Sequence, residues 1–114
     1  MKSIREMVEE IRVEAGSDNL MPARGAELLK SLASLFGNIT QEIRKRDMEY
    51  KLVLLRSLES EEKANRAKIK AEVSPEYQLM REARDIKELA LEIIRSLKYF
   101  LRAWEEERKV SGNM

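Results

Sequence analysis

The sequence predicts an all-α protein, in which two long helices form an antiparallel, coiled-coil-like hairpin behind a short N-terminal helix. Three observations predict this fold class. Gly and Pro are rare, with four and two in 114 residues. Apolar residues recur at the three- and four-residue steps of a helix over most of the chain. A helix boundary at Val73-Ser74-Pro75-Glu76 separates two long periodic segments. The length suits a single helical domain, spanning residues 1–114.

The first predicted helix is short and spans residues 3–15. Ser3 and Glu6 have the spacing of a capping box, in which each side chain satisfies a backbone N–H of the first turn. Apolar residues follow at helical spacing, and the helix should end near Gly16. The polar segment that follows reads as a turn. Pro22 suits the first position of the next helix, where a missing N–H costs nothing.

The second predicted helix spans residues 22–72 and leaves two questions open. Gly37 is either a left-handed C-cap, with Asn38 capping a new helix, or a glycine inside one continuous or kinked helix. We favour the continuous or kinked helix, because the apolar stripe keeps its phase across the glycine. Beyond Leu58 the stripe thins to alanines at 64, 67 and 71, which either allow close helix packing or mark a tip outside the core.

The third predicted helix spans residues 75–109, and residues 110–114 should form a frayed tail. Ser74 is a favourable N-cap, and Pro75 suits the first helical position. The apolar residues form two interleaved series at seven-residue spacing, which indicates coiled-coil packing against the second helix. The first series is Leu79, Ile86, Ile93 and Phe100, and the second is Ala83, Ala90, Leu97 and Trp104. Trp104 should be an anchor of the core.

The apolar band is wider than one partner helix covers. Leu29, Leu52, Leu55 and Leu101 are among the residues outside the narrowest seam. The first helix can cover part of this band, and we expect another subunit to cover the rest, giving a homo-oligomer. A monomeric three-helix bundle is the alternative.

The composition excludes several classes of function. There is no Cys or His, which removes thiol and imidazole chemistry and the usual zinc ligands. No Gly-rich phosphate loop is present. We therefore expect no enzyme, no metal and no cofactor. No apolar run has the roughly 18 residues of a membrane span. The chain should be cytoplasmic and should not bind membranes.

The charges are balanced overall but sorted along the chain. Lys and Arg number 22 and Asp and Glu 21, so any binding to nucleic acid requires basic residues grouped on a face. One such group forms a stripe on the third helix, where Tyr77 or Tyr99 could stack on a base. The alternative is that the stripe forms ion pairs between helices of a coiled coil. The stripe consists of Arg84, Lys87, Arg95, Lys98 and Arg102.

A second basic group lies at the predicted hairpin tip. Residues 63–70 include four cations and no acid, and Arg44-Lys45-Arg46 adds a short cluster. Exposed basic tips can contact phosphates. Glutamates flank the segment, so a solvated helix surface is the equally weighted alternative. The four cations are Lys63, Arg66, Lys68 and Lys70.

Between Leu28 and Lys109 a set of short segments occurs in a characteristic order. They are Leu35-Phe36-Gly37-Asn38-Ile39-Thr40, Lys63-Ala64, Ala67-Lys68, Glu72-x-Ser74-x-x-Tyr77, Ile94-Arg95-Ser96-Leu97-Lys98, Trp104 and Glu107-Arg108. This layout resembles small all-helical proteins encoded in bacteriophage recombination and replication cassettes, and it is similar, more distantly, to the UvsY family of phage recombination mediators. The first half of the chain matches no DNA-binding motif of that family.

The resemblance implies a non-catalytic protein that binds single-stranded DNA as a ring-like oligomer. It would help to load a RecA-like recombinase onto strands covered by single-strand-binding protein, in the host cytoplasm if the chain is phage-encoded. The tip cations and the stripe on the third helix would then be the DNA-binding residues. A coiled-coil structural or adaptor protein, which binds partner helices and no nucleic acid, is the alternative function.

Overall fold

The all-α prediction is confirmed. The computed structural model describes residues 1–61 and 63–112, and every regular element within them is an α-helix. The helices are α1 (Ile4–Ala15), α2 (Pro22–Ser60), α3 (Ala64–Glu72) and α4 (Pro75–Gly112). Residues 110–112, which were predicted to belong to a frayed tail, are therefore helical, and residues 113 and 114 lie outside the described part. None of the described helices combines the length and apolarity needed to cross a membrane.

Two helices begin at the N-caps that the sequence predicts. The Ser3 hydroxyl accepts a hydrogen bond from the Glu6 backbone N–H at 3.1 Å, which satisfies one of the free donors of the first turn. The Ser74 hydroxyl accepts from the Tyr77 N–H at 3.2 Å and donates to the Ala71 carbonyl at 2.6 Å. Ser74 thus links the last turn of α3 to the first turn of α4.

Gly37 lies inside α2, which settles the first open question in favour of a continuous helix. No described glycine has a positive φ, so Gly37 does not form a left-handed C-cap. A Cβ built at Gly37 would meet no atom within 4 Å. The glycine is therefore tolerated at an exposed position, and the packing does not require it.

The helix predicted over residues 22–72 is divided in the structure, because α2 ends at Ser60 and α3 begins at Ala64. The Ser57 carbonyl accepts from the Glu61 N–H at 3.0 Å and from the Ser60 hydroxyl at 3.2 Å where α2 ends. Lys63 has an extended backbone, with φ −109° and ψ 127°. The last turn of α2 also contains Glu59 and no basic residue, which is unfavourable at the negative end of a helix dipole.

The helices form two compact units, and the boundaries of both lie within α2 and α4. The α1 unit comprises Met1–Gly37 and Glu88–Met114, and the α3 unit comprises Asn38–Lys87. Each unit has its own buried residues from three helices. In the α1 unit these are Val8 of α1, Leu28 and Leu32 of α2, and Ala90, Ile93 and Leu97 of α4.

Within the α1 unit, α2 and α4 approach closely at a buried glycine. A Cβ at Gly25 would lie 3.3 Å from Cε1 of Phe100 and 3.5 Å from Cδ2 of Leu101. Trp104, predicted as a core anchor, is 42% exposed and contacts the ring of Phe100 at a centroid distance of 6.4 Å. The prediction was wrong because α2 begins at Pro22. Little of α2 therefore extends along α4 past Phe100, and the indole of Trp104 is left partly uncovered.

An ion pair joins the end of α1 to the start of α2. Nη2 of Arg24 donates to Oε1 of Glu14 at 2.7 Å, and Nε donates to the other carboxylate oxygen. The guanidinium also reaches Glu27 at 2.9 Å. The hydrogen bond from Arg24 lowers the pKa of Glu14 below its usual range. The pair closes the turn after Gly16 on an exposed surface.

Within the α3 unit, α2 and α4 run antiparallel. Asp47 of α2 contacts Arg84 of α4, and Tyr50 packs on Tyr77 with ring centroids 5.1 Å apart. The residue numbers rise on one helix as they fall on the other. Burial raises the pKa of the Tyr50 phenol, as expected for a ring enclosed between helices. The buried apolar residues of the unit are Ile39, Ala67, Ala71, Met80 and Ala83.

Candidate nucleic-acid interface

The α3 helix is attached to its unit by small residues. Ala67 and Ala71 are fully buried, which answers the second open question in favour of close packing at these two positions. At about 100° per residue, these alanines define one side of the helix, and the long side chains project from the rest. Three of the predicted DNA-binding residues are exposed around the rest of the helix, with Arg66 and Lys68 about 160° apart on the two flanks of the alanines, and we name this surface the α3 basic face. It consists of Lys63, Arg66 and Lys68.

The cations of the α3 basic face form no ion pair with any residue that the structure describes. Lys70, the fourth predicted cation of this segment, differs because its Nζ lies 3.5 Å from a carboxylate oxygen of Glu61. Lys70 therefore helps to close the connection between α2 and α3. Because α3 carries no acid in its first turn and Lys63 caps it without a side-chain hydrogen bond, an anion near this end would be favourably placed.

The stripe predicted on α4 is divided between the two units. Arg84 and Lys87 belong to the α3 unit, and the other three cations belong to the α1 unit. Arg84 donates to Asp47 of α2 at 3.0 Å, which is the interhelical pairing expected of a coiled-coil flank. Lys87 is half-buried and forms no ion pair with any described residue. Arg84 thus has a structural partner, and its guanidinium is the least available of the stripe.

The remaining cations of the stripe lie beside an exposed aromatic ring on the same helix. Tyr99 is 75% exposed. Arg95 precedes it by four residues and Arg102 follows it by three, so all three lie on one helix face, with Lys98 at its edge. None of these three cations is ion-paired within the described chain. We name this group, Arg95, Lys98, Tyr99 and Arg102, the α4 aromatic–basic face.

Of the two tyrosines considered as base-stacking residues, only Tyr99 has a free face. Tyr77 packs against Tyr50, and the guanidinium of Arg81 lies 5.9 Å from its ring centroid. Tyr77 therefore belongs to the packing of the α3 unit. The combination of an exposed tyrosine with arginines at helical spacing is visible in the sequence, but the exposure that distinguishes Tyr99 from Tyr77 is not.

Arg44-Lys45-Arg46, a single basic cluster in the sequence, is separated in the structure. Arg46 is half-buried and donates to Glu42 at 2.8 Å and to Glu49 at 2.9 Å. Its side chain is held within α2. Arg44 and Lys45 are exposed on the outer side of the same helix and pair with no described residue. Lys51 and Arg56, which were not among the predicted binding residues, are likewise exposed and form no ion pair with a described residue.

The described residues contain no group of three or more His, Cys, Asp or Glu side chains that could hold a metal ion. They also leave no buried side-chain polar atom without a hydrogen-bond partner. The basic and aromatic side chains exposed on α3 and α4 offer cationic contact and aromatic stacking. Comparison of the chain with protein-family models, curated proteins and solved structures yields no match.

Proposed function

We propose that the protein binds single-stranded DNA and assists the loading of a recombinase, without catalysing a reaction itself. The observation that carries the proposal is the α4 aromatic–basic face, in which an exposed Tyr99 lies beside two arginines that form no ion pair with a described residue. Proteins that bind single strands combine aromatic rings, on which bases stack, with cations that follow the backbone. A duplex offers no unstacked base to such a ring, so this surface favours single strands.

The α3 basic face supports the proposal as a second phosphate-binding surface. Cations that already have a carboxylate partner lose that interaction when they contact phosphate, whereas unpaired cations do not. Lys63, Arg66 and Lys68 are therefore better candidates than Lys70 and Arg84. Lys87, which is half-buried and unpaired, is intermediate between these groups.

The near-neutral net charge of +1 is compatible with binding if the protein presents several weak sites together. We therefore propose that the protein acts as a homo-oligomer. The recombinase and the single-strand-binding protein enter the proposal through the resemblance to phage recombination mediators, which are expected to act on strands already covered by protein. The proposed compartment is the cytoplasm of the cell in which the chain is made.

The first experiment measures fluorescence anisotropy of a labelled single-stranded oligonucleotide at about 50 and 200 mM salt, with a duplex as the comparison. The expected result is tighter binding to the single strand that weakens at the higher salt concentration. Tyr99→Ala should weaken binding by about tenfold or more, since stacking of one base contributes roughly 1–3 kcal/mol. Tyr99→Phe should retain it, because the phenyl ring still stacks.

The basic faces are tested with charge-matched variants. Arg66→Glu with Lys68→Glu should reduce affinity and flatten its salt dependence. Arg5→Glu with Lys30→Glu makes the same change in net charge at exposed, unpaired positions outside both faces, and should have a much smaller effect. Equal losses in the two double variants would show that only net charge matters. Absence of single-strand binding at the lower salt concentration would refute the proposal and leave the helix-binding adaptor as the account.

Recombinase loading is tested separately, because DNA binding alone does not establish it. The DNA-dependent ATPase activity of a RecA-like recombinase is measured on single strands coated with single-strand-binding protein. Addition of the wild-type chain should shorten the lag before ATP hydrolysis, and Tyr99→Ala should not. A lag that the wild-type chain leaves unchanged would remove the mediator role while retaining DNA binding.

A further inference from the structure

The outer side of α2 in the α3 unit carries exposed apolar residues at coiled-coil spacing. Met48, Leu52 and Leu55 are 60%, 46% and 52% exposed. Their spacings of four and three residues are those of consecutive heptad core positions. At about 100° per residue the three side chains fall within an arc of roughly 60°. We name these three residues the α2 seam.

The α2 seam is distinct from the side of α2 that packs within the unit. Ile39 and Ser57 are buried, and both lie roughly 180° from Met48 around the helix axis. Tyr50, on the same inner side, packs on Tyr77. The helix thus has one stripe that is covered by its own unit and a second stripe that faces solvent.

The α2 seam is flanked by cations on both sides. At about 100° per residue, one flank holds Arg44 and Lys51, and the other holds Lys45 and Arg56. All four are exposed and none forms an ion pair with a described residue. The carboxylate of Glu49, beyond the second flank, already accepts from Arg46 at 2.9 Å. Glu59 continues the seam at its C-terminal end.

We propose that the α2 seam docks an amphipathic helix of a different protein, with an apolar stripe flanked by Glu or Asp. An apolar seam of heptad spacing fits the stripe of a partner helix, and residues beside such a seam select the partner by charge. The four unpaired cations therefore select an acidic helix. Docking would bury the exposed leucines and supply the carboxylates that the described chain does not.

A second copy of the chain fits the α2 seam poorly. In a parallel symmetric pair, Lys51 of each copy would face Arg56 of the other. In an antiparallel pair centred on Leu52, the two Lys51 side chains would face each other. Like charges placed opposite each other are unfavourable in either arrangement.

Neither nucleic acid nor a lipid surface accounts for the α2 seam as well. A phosphate backbone is bound by cations, and such binding does not explain the three exposed apolar residues that lie between the cations. Helices that lie on membranes present a broad apolar face, typically with aromatic residues, whereas the large apolar residues exposed on α2 include no aromatic ring. The inference does not rest on the proposed function, because the α2 seam shares no residue with the α3 basic face or the α4 aromatic–basic face.

The test uses two synthetic three-heptad peptides with leucine at the core positions and either Glu or Lys at the flanking positions. Binding of the labelled peptides to the full chain is measured by anisotropy. The acidic peptide should bind at least tenfold more tightly than the basic one. Lys51→Glu with Arg56→Glu leaves two cations and two carboxylates beside the seam and should abolish that preference, a change that non-specific adhesion to the apolar residues would not produce.

The apolar contact is tested with a matched pair of variants. Leu52→Ser with Leu55→Ser should abolish binding of the acidic peptide. Val13→Ser with Met21→Ser removes two apolar side chains that are at least as exposed elsewhere and should leave binding unchanged. Circular dichroism verifies that each variant remains helical.

Several results would overturn the proposal. They are failure of both peptides to bind, equal binding of the two, and binding that persists after both leucines are replaced. Light scattering and sedimentation with anionic vesicles complete the test. Self-association or vesicle binding that disappears in Leu52→Ser with Leu55→Ser would assign the seam to a second copy or to a lipid surface instead.

Discussion

Replacement of Gly37 by alanine tests whether α2 is continuous. A glycine in an exposed helix interior destabilises the helix by roughly 0.5–1 kcal/mol relative to alanine. At Gly37 the added methyl group would meet nothing within 4 Å, so no packing cost opposes the gain. We therefore expect Gly37→Ala to raise the free energy of unfolding by about 0.5–1 kcal/mol. That corresponds to an increase of about 2–6 °C in Tm for a chain of this size.

Gly25→Ala is the matched comparison, because it makes the same substitution in the same helix. Its methyl group would lie 3.3 Å from Phe100 and 3.5 Å from Leu101, so these side chains must shift to accept it. The helix-propensity gain is therefore partly or wholly offset, and Gly25→Ala should be less stable than Gly37→Ala. Thermal and urea unfolding followed by circular dichroism measures both. A destabilised Gly37→Ala would refute the reasoning, since it would mean that Gly37 adopts a left-handed cap conformation.

Three further predictions concern the packing, the caps and the turn. Leu32 is fully buried, so Leu32→Ala should lower the free energy of unfolding by about 2–5 kcal/mol, measured by urea denaturation, whereas Leu52→Ala at the exposed seam should cost much less. Ser74→Ala removes the hydroxyl that joins α3 to α4 and should cost about 1 kcal/mol, with Ser74→Asp retaining most of the stability; equal losses in both would contradict a capping role. The pKa of Glu14 is lowered by Arg24, so the ion pair stabilises the fold above the ordinary pKa of 4.5 and this contribution disappears as the pH falls through the lower folded value. Glu14→Gln should therefore unfold at nearly the wild-type Tm at low pH but at a lower Tm at neutral pH, and a difference that grows on acidification would contradict the sign.

The two ligands proposed for the α3 unit, single-stranded DNA and an acidic helix, would bind to surfaces that share no residue. The α3 basic face and the α2 seam both belong to the α3 unit but occupy different helices. An acidic helix docked on the seam would place negative charge in that unit. Adding the acidic peptide to a preformed complex of the chain with the oligonucleotide measures whether such a helix and single-stranded DNA compete for the protein.

Part of the candidate site could be predicted from the sequence. The nine predicted DNA-binding residues were selected because basic side chains cluster by segment and by helix face, and seven of them form no ion pair with any described residue. Lys70 and Arg84 are the two exceptions, paired with Glu61 and Asp47. Those carboxylates are 9 and 37 residues away along the chain, so helical periodicity gives no indication of these contacts. The α2 seam was visible only as an apolar band expected to be buried by an oligomer.

The sequence by itself determined the helical class of the chain, the two serine caps and the phase of the α4 core, because these depend on neighbours within a turn or two. Ser3 and Ser74 act on backbone groups three residues away, and Ala83, Ala90 and Leu97 follow a repeat that local spacing sets. The tertiary structure decided what lies opposite each helix. It left Trp104 half-uncovered, paired Arg84 with Asp47, enclosed Tyr77 while exposing Tyr99, and left the α2 seam open to solvent. Burial and ion pairing depend on which distant helix lies within a few ångströms, and that information is not contained in the periodicity of either helix alone.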